Sequence, residues 1–403
     1  MKKGGVVINL ISWGVFLVAV DLGGLEMLKH AVWRNVTVIV MAGGKSRRMG
    51  EDKRWLAIEG QSLLEWVLAK AEQVPAKELL LSVEEASPML RELAGCYDAR
   101  LLEDREKGNG PMQGLWQGLS EMQTEYACVL SCDMPFFDFS ILEEMVKETF
   151  SKTERPMAVI PVTGGHRQSW GALYHRSMVE HFEKALQAGK REPWDVLEGL
   201  EQAFYELPEE HRAAFFNVNT QADLRLARGR ARNLSRKMKM ITISAPRSQT
   251  GKTTFIERLL PKLQESGLRV GVVKSDCNDQ EIDHPGKDSY RFHEAGADAV
   301  ALVSSDGYCI QQRTEGRAPL EEVAMQLQDV DLVLVESRNH GCAPWISLSR
   351  GTRTSLVTED TAALFTDTPK QNAELREYDL DDMEAAKEIV FFLSAQVPQR
   401  QEE

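Results

Sequence analysis

The chain has 403 residues, of which 43% are hydrophobic and 27% charged, with a net charge of -13 at pH 7. That length exceeds one ordinary domain and suits two α/β domains of about 200 residues each. The composition excludes a fibrous repeat and general disorder, and the acidic balance argues against a grip on nucleic acid.

Residues 1–34 carry Lys2 and Lys3 ahead of an apolar run from Val6 to Val20, long enough for a signal-peptide core and short for a membrane span. Three readings fit this extension: an upstream start codon with Met27 as the true start, an amphipathic or membrane-touching segment, and an export signal. No small-x-small cleavage pattern follows it, and two nucleotide-type loops downstream argue against export. A cytoplasmic protein without stable membrane insertion is expected. The six cysteines (Cys96, Cys128, Cys132, Cys277, Cys309, Cys342) are scattered, which fits reduced, buried thiols better than a disulfide framework or a four-ligand zinc site.

From Val36 short β-branched runs alternate with amphipathic helical stretches, the pattern of a parallel sheet with crossover helices. Strands are expected at residues 36–41, 79–83, 127–131 and 157–162, and a stripe of Leu63, Leu64, Val67 and Leu68 predicts a core-facing helix. The first domain, 35–224, reads as Rossmann-like. Its first strand runs into Met41, Ala42, Gly43 and Gly44, and paired glycines let the backbone turn and aim its N–H groups at a polyphosphate. Lys45, Arg47 and Arg48 add positive charge, and Lys53 follows, within reach of an α- or β-phosphate whose developing charge it would neutralise. Asp133 follows the apolar run YACVL. A carboxylate at the C-terminal end of a parallel strand stands where α/β sheets place ligand groups, and Mg²⁺ takes one or two carboxylates plus phosphate oxygens and water. Taken alone, Asp133 also suits a helix cap, and Asp104 an exposed loop acid.

The ordered set MAGGKSRRMGEDK, Asp104, GPMQGL from Gly110, SCDMP from Ser131 and FNVNT from Phe216 resembles the molybdenum cofactor nucleotidyltransferases, in particular the guanylyltransferases, over residues 36–224. The resemblance implies that Met41, Ala42, Gly43, Gly44, Arg47 and Asp104 hold the nucleotide of Mg-GTP. It implies that Lys53 and Asp133 are catalytic, with Asp133 on Mg²⁺. The reaction it implies is attack by the terminal phosphate of molybdopterin on the α-phosphorus of GTP, releasing pyrophosphate without a covalent enzyme intermediate. GGHRQSWGALY from Gly164 resembles the segment that faces the pterin, with Ser169 where proline is commoner. Glu84 stands where the family more often carries a nucleotide-touching asparagine, which keeps cytidylyl transfer as the rival, although GPMQGL favours guanylyl transfer. A sugar-nucleotide pyrophosphorylase would share the Gly-Gly loop but offers no reason for the second domain.

The stretch from Arg225 to Met240 holds seven basic residues and no acidic one, and 225–239 reads as a solvated linker. A second domain follows at 240–395, with 396–403 as a frayed tail. A strand at 240–245 leads into Thr250, Gly251, Lys252, Thr253 and Thr254 and then a helix, the context of a P-loop. Lys252 serves β/γ-phosphates, Thr253 ligates Mg²⁺ and the helix N-terminus adds partial positive charge; Pro246 replaces the first glycine of the pattern. GVVK, DHPGKDSYR, EAGA and DLVLVE from Gly271, Asp283, Glu294 and Asp331 resemble the molybdopterin-guanine dinucleotide biosynthesis adapter family. Glu336, ending the last of these, is placed to orient a water or the Mg²⁺ shell. The family's paired histidines after the lysine are replaced by SDCND, and its Gly-Phe-Lys by SRNHGCAPW. The whole chain therefore reads as two three-layer α/β domains: a transferase, and a P-loop GTP-binding adapter for which weak GTPase activity is one expectation. The adapter would serve molybdoenzyme apoproteins and their chaperones. The alternative is a delivery protein with a degenerate transferase half, which intact Lys53 and Asp133 oppose.

Overall fold

The computed structural model describes residues 33–43, 51–246, 250–275, 286–351 and 357–395. The apolar extension, Gly44, Arg47 and the last eight residues lie outside the described residues.

Seven strands run across the eight-stranded main sheet of the first half: β1 Val36–Met41, β2 Glu78–Val83, β3 Ala99–Glu103, β4 Tyr126–Ser131, β5 Ala158–Thr163, β6 Ala172–His175 and β7 Gln202–Leu207. Their order is β7-β5-β6-β4-β1-β2-β3. β1 pairs in parallel with β4 and β2 and is buried at all six positions, as expected of a central strand covered on both faces. Its alternation sorts the faces. Val36, Val38 and Val40 pack with Leu64, Val67 and Leu68 of α1 (Leu63–Ala71) and with Ile141, Leu142 and Met145 of α4 (Phe139–Ser151). Ile39 and Met41 pack with Met112, Leu115 and Leu119 of α3 (Pro111–Glu121) and Phe182 of α5 (Val179–Gln187). Helix α2 (Pro88–Cys96) adds Leu90 and Ala94 to the first face.

The sheet is mixed rather than all-parallel, because β6 runs antiparallel to both β4 and β5. The cause is local. Gly164 and Gly165, at φ +56° and +74°, turn the chain into the short strand His166–Arg167 beside β5, and Gly171, at φ +80°, delivers it into β6 without a crossover helix.

Helix α6, Gln221–Ser235, starts on a capping box between Thr220 and Asp223. Beyond it, β8 Met240–Ser244, β9 Val270–Lys274, β10 Leu332–Ser337, β11 Trp345–Ser349, β12 Thr361–Thr366 and β13 Arg376–Asp379 form a fully parallel sheet in the order β9-β10-β8-β11-β12-β13. Helices α7 (Lys252–Glu265) and α8 (Met383–Ser394) cover one face, and Leu320 and Ala324 of a shorter helix pack on the other.

The basic stretch expected as a solvated linker is mostly α6. Leu224, Ala227 and Ala231, at helical spacing, pack on Leu56, Ile58, Leu63 and Phe136 of the first half, while Leu226 enters the core of the second. The arginines lie along the flanks of this packed helix. Asn233 shows how deep the helix sits: fully buried, it donates through Nδ2 to the Met240 and Leu393 carbonyls at 3.0 Å and accepts the Met240 N–H at 3.1 Å. Asn233→Ala should lower the unfolding free energy by roughly 2–3 kcal/mol, since it orphans buried backbone groups. The urea midpoint at unchanged slope reads this, and a shift below about 0.5 kcal/mol is what a solvated linker would give.

Candidate functional site

At the C-terminal edge of the first sheet the ends of three strands are tied together. Ala42 N–H donates to the Ser82 carbonyl at 2.8 Å, and Cys132 N–H to the Met41 carbonyl at 3.0 Å. Gly43 lies against β2's exit, where a Cβ would stand 3.5 Å from Glu84 N.

On the far side of the loop a 3-10 turn, Lys53–Trp55, is capped by Asp52, whose carboxylate accepts Arg54 N–H at 3.1 Å. The Arg54 guanidinium grips Asp52 through Nε at 2.9 Å and Nη2 at 2.5 Å, and Nη1 donates to the Ala42 carbonyl at 3.2 Å. This clamp joins the end of the phosphate-type loop to its beginning. The motif reading did not single out Arg54; the Asp52-x-Arg54 spacing was its trace in the sequence.

The turn sets Lys53 Nζ directly on Asp133 Oδ2, their side chains 22% and 6% exposed. Burial by itself lowers an ammonium, but the facing Asp133 carboxylate and its neighbours outweigh it and hold Lys53 above the ordinary lysine range. Lys53 is therefore a fixed positive charge. The other carboxylate oxygen, Asp133 Oδ1, is buried with no hydrogen-bond partner among the described residues, an acceptor open to a cation or a donor. Asp133 caps no helix, since the N-cap of α4 is Asp138. Its carbonyl accepts Val218 N–H at 2.9 Å, which brings the FNVNT segment to the same strand end.

Asp104 follows β3, its N–H on the Val83 carbonyl at 2.9 Å. Its side chain lies against Gly114 of α3, where a Cβ would stand 3.4 Å from Asp104 Oδ1 and 2.7 Å from Met41 Cε, so the helix approaches this closely because it carries glycine there. Asp104 Oδ1 is a second buried, unpartnered acceptor among the described residues. Burial first, then the Glu84 charge, pushes the Asp104 carboxyl up to about 7. Glu84 itself accepts Gly108 N–H at 3.2 Å.

His166, Gln168, Asn217 and Asn219 line a cavity of about 700 Å³ whose opposite wall, Arg376, Tyr378 and Phe392, comes from the second half. Motif reading reached the first wall but had no route to the second, which is remote in sequence.

In the second half, Gly251 caps α7 at φ +101°, a conformation that L side chains rarely adopt. Thr250 is buried, while Thr253 and Thr254 are exposed on the first turn beside Lys252. Thr253 Oγ1 donates to Glu336 Oε1 at 3.0 Å, and Lys274 Nζ lies 3.8 Å from the same oxygen. Among the described residues no group of three or more His, Cys, Asp or Glu converges on a metal position, and no helix is long and apolar enough to cross a membrane.

Residues 38–204 match the family described as MobA-like NTP transferase domain, and residues 240–367 match Molybdopterin guanine dinucleotide synthesis protein B. The chain is 29% identical over 197 residues to the probable molybdenum cofactor guanylyltransferase of Peptoclostridium acidaminophilum, covering 47% of this chain and 86% of that protein. It is 31% identical over 199 residues to the protein of the same name from Mycobacterium avium, covering 48% and 95%. Among solved structures it is similar to molybdopterin-guanine dinucleotide biosynthesis protein A of Archaeoglobus fulgidus, with 28% identity, a TM-score of 0.42 and coverage of 48% of this chain and 96% of that one.

Cys132, next to Asp133, is fully enclosed, and burial pushes its thiol up to about 12; Cys128 is raised further by the same cause. Both are packing groups. Near neutral pH an aromatic disulfide reagent should modify the exposed Cys96 and Cys309 and spare Cys128 and Cys132 until the protein unfolds, as read by peptide mass mapping. Early labelling of Cys132 would contradict this environment.

Proposed function

The chain belongs to the molybdenum cofactor guanylyltransferase family, and from that premise we propose that its first half transfers GMP from GTP to molybdopterin and releases pyrophosphate. The observation that carries this reading is the Lys53–Asp133 pair at the C-terminal edge of the sheet, with one carboxylate oxygen engaged and the other open. Lys53 neutralises charge gathering on the α- and β-phosphates, while the backbone of Met41, Ala42, Gly43 and Gly44, with Arg47, holds the polyphosphate. The open Oδ1 of Asp133, with phosphate oxygens and water, is a donor set that suits Mg²⁺, which when bound supplies further charge neutralisation to the polyphosphate. The attacking phosphate of molybdopterin is already an anion, so these residues position and neutralise and need no general base.

The cavity beside Asn217 and Asn219 supports a pterin site that also meets His166 and Gln168. Asp104 supports guanine as the base. An ionised carboxylate accepts two neighbouring donors, N1–H and N2–H, from guanine, whereas the cytosine edge offers a single amino group. In the second half Gly251, Lys252, Thr253, Thr254 and Glu336 hold GTP, with Thr253 the Mg²⁺ ligand. This half acts as the adapter that passes the dinucleotide cofactor toward molybdoenzyme apoproteins in the cytoplasm.

Lys53→Ala should reduce pyrophosphate release from Mg-GTP and molybdopterin by about 10²–10³-fold, and near-normal turnover in that variant would overturn the assignment. The Asp104 carboxyl, held at about 7 in the free protein, must lose its proton to accept from guanine. The kcat/KM for GTP should therefore rise with pH through about 7 and level off above it. Asp104→Asn should flatten that rise; an unchanged pH profile in the variant would remove Asp104 from base recognition.

A further inference from the structure

We propose that Arg228 of α6 is a positioning residue for Lys53, so that the transferase site takes its working geometry from the seam between the two halves. This rests on the catalytic reading of Lys53.

The turn that carries Lys53 has three residues and buries none of them fully; Trp55 packs in part on the first-half core and Arg54 ties it to Ala42. It leads into a hairpin of two residue pairs, Ala57–Ile58 with Gln61–Ser62, too short to be stable alone. Its support is α6. Leu56 and Ile58 pack on Leu224, Ala227 and Ala231. Arg228 Nε donates to the Ala57 carbonyl at 2.9 Å, and Arg232 Nε to Glu59 Oε1 at 3.1 Å.

Helix α6 is in turn held by the second half. Arg225 donates to the Thr358 carbonyl at 2.7 Å and Arg230 to the Phe392 carbonyl at 2.7 Å. Asp223 pairs with Arg376 at 2.6 Å, and Arg232, already on Glu59, reaches Asp360 at 2.7 Å. The path from Lys53 through its hairpin and Arg228 into the adapter half is thus a continuous set of direct contacts.

An independent set of contacts supports the other member of the pair. Phe392 of α8 packs on Phe136, ring centroids 6.0 Å apart, and on Phe216 at 4.5 Å, with the Arg230 guanidinium over Phe136 and Phe392 at 5.2 and 5.1 Å. Phe136 stands three residues after Asp133, and Phe216 two before Val218, whose N–H bonds the Asp133 carbonyl. Both charges of the site are braced from the seam.

A misplacement of about 1 Å in a group that acts on the transition state costs up to about 10²-fold in rate. Arg228 is exposed, so its removal opens no core, and a defect would report position rather than folding. In the full chain with Mg-GTP and molybdopterin, Arg228→Ala should lower kcat about five- to tenfold. KM for GTP should stay within about twofold and the thermal midpoint within about 2 °C. Arg228→Lys, which still offers a donor to the Ala57 carbonyl, should recover most of the loss. If Arg228→Ala keeps kcat within about twofold while Lys53→Ala is inactive, the positioning role is wrong and the catalytic reading stands. If kcat falls only together with the thermal midpoint and lysine does not rescue it, the role is structural and the proposal fails. If Lys53→Ala itself turns over normally, the catalytic reading fails, and this inference with it.

Discussion

An ammonium and a carboxylate both largely withdrawn from water must meet, because either one left alone would bear the full loss of its hydration. Lys53 and Asp133 are 80 residues apart in sequence, and much of the first half's architecture serves to close that distance. The parallel pairing of β1 with β4 puts the two strand ends side by side, the Arg54 clamp returns the loop to its start, and the capped turn aims the lysine inward. The two opposite charges thus meet within one pair.

The elements around that pair were legible in the sequence where one residue type answered one physical demand. The apolar run of β1 needs cover on both faces, and its observed limits are those the pattern predicts. Gly114 lies where a helix must approach Met41 and Asp104 closely, and Gly251 where the chain must turn left-handed. Two features were not legible. The antiparallel β6 depends on how a loop of glycines closes over β5, which no periodicity encodes. Helix α6 replaces the solvated linker that its charge density suggests, because its Leu and Ala residues keep helical spacing.

Glu84 makes a similar point about inference from type. An acid in the place of a nucleotide-touching asparagine reads as a lost contact, yet here it holds the loop at Gly108, and its charge adds to the burial that raises the Asp104 carboxyl. The two carboxyls at this edge are thus coupled, one buried and one holding a loop.

The seam decides what kind of fusion this is. A tether would leave two bodies, each with its own closed core, and substitutions in one would leave the other untouched. Helix α6 instead gives Leu224, Ala227 and Ala231 to one core and Leu226 to the other, while Asn233 ties it to the first strand and the last helix of the second half. Neither half can be withdrawn without exposing a face of this helix, and buried apolar side chains and satisfied backbone groups oppose that exposure together. The same helix bears on the hairpin behind Lys53. Displacing the second half would therefore disturb the support of the turn that carries Lys53, so the two halves share a mechanical path as well as a chain.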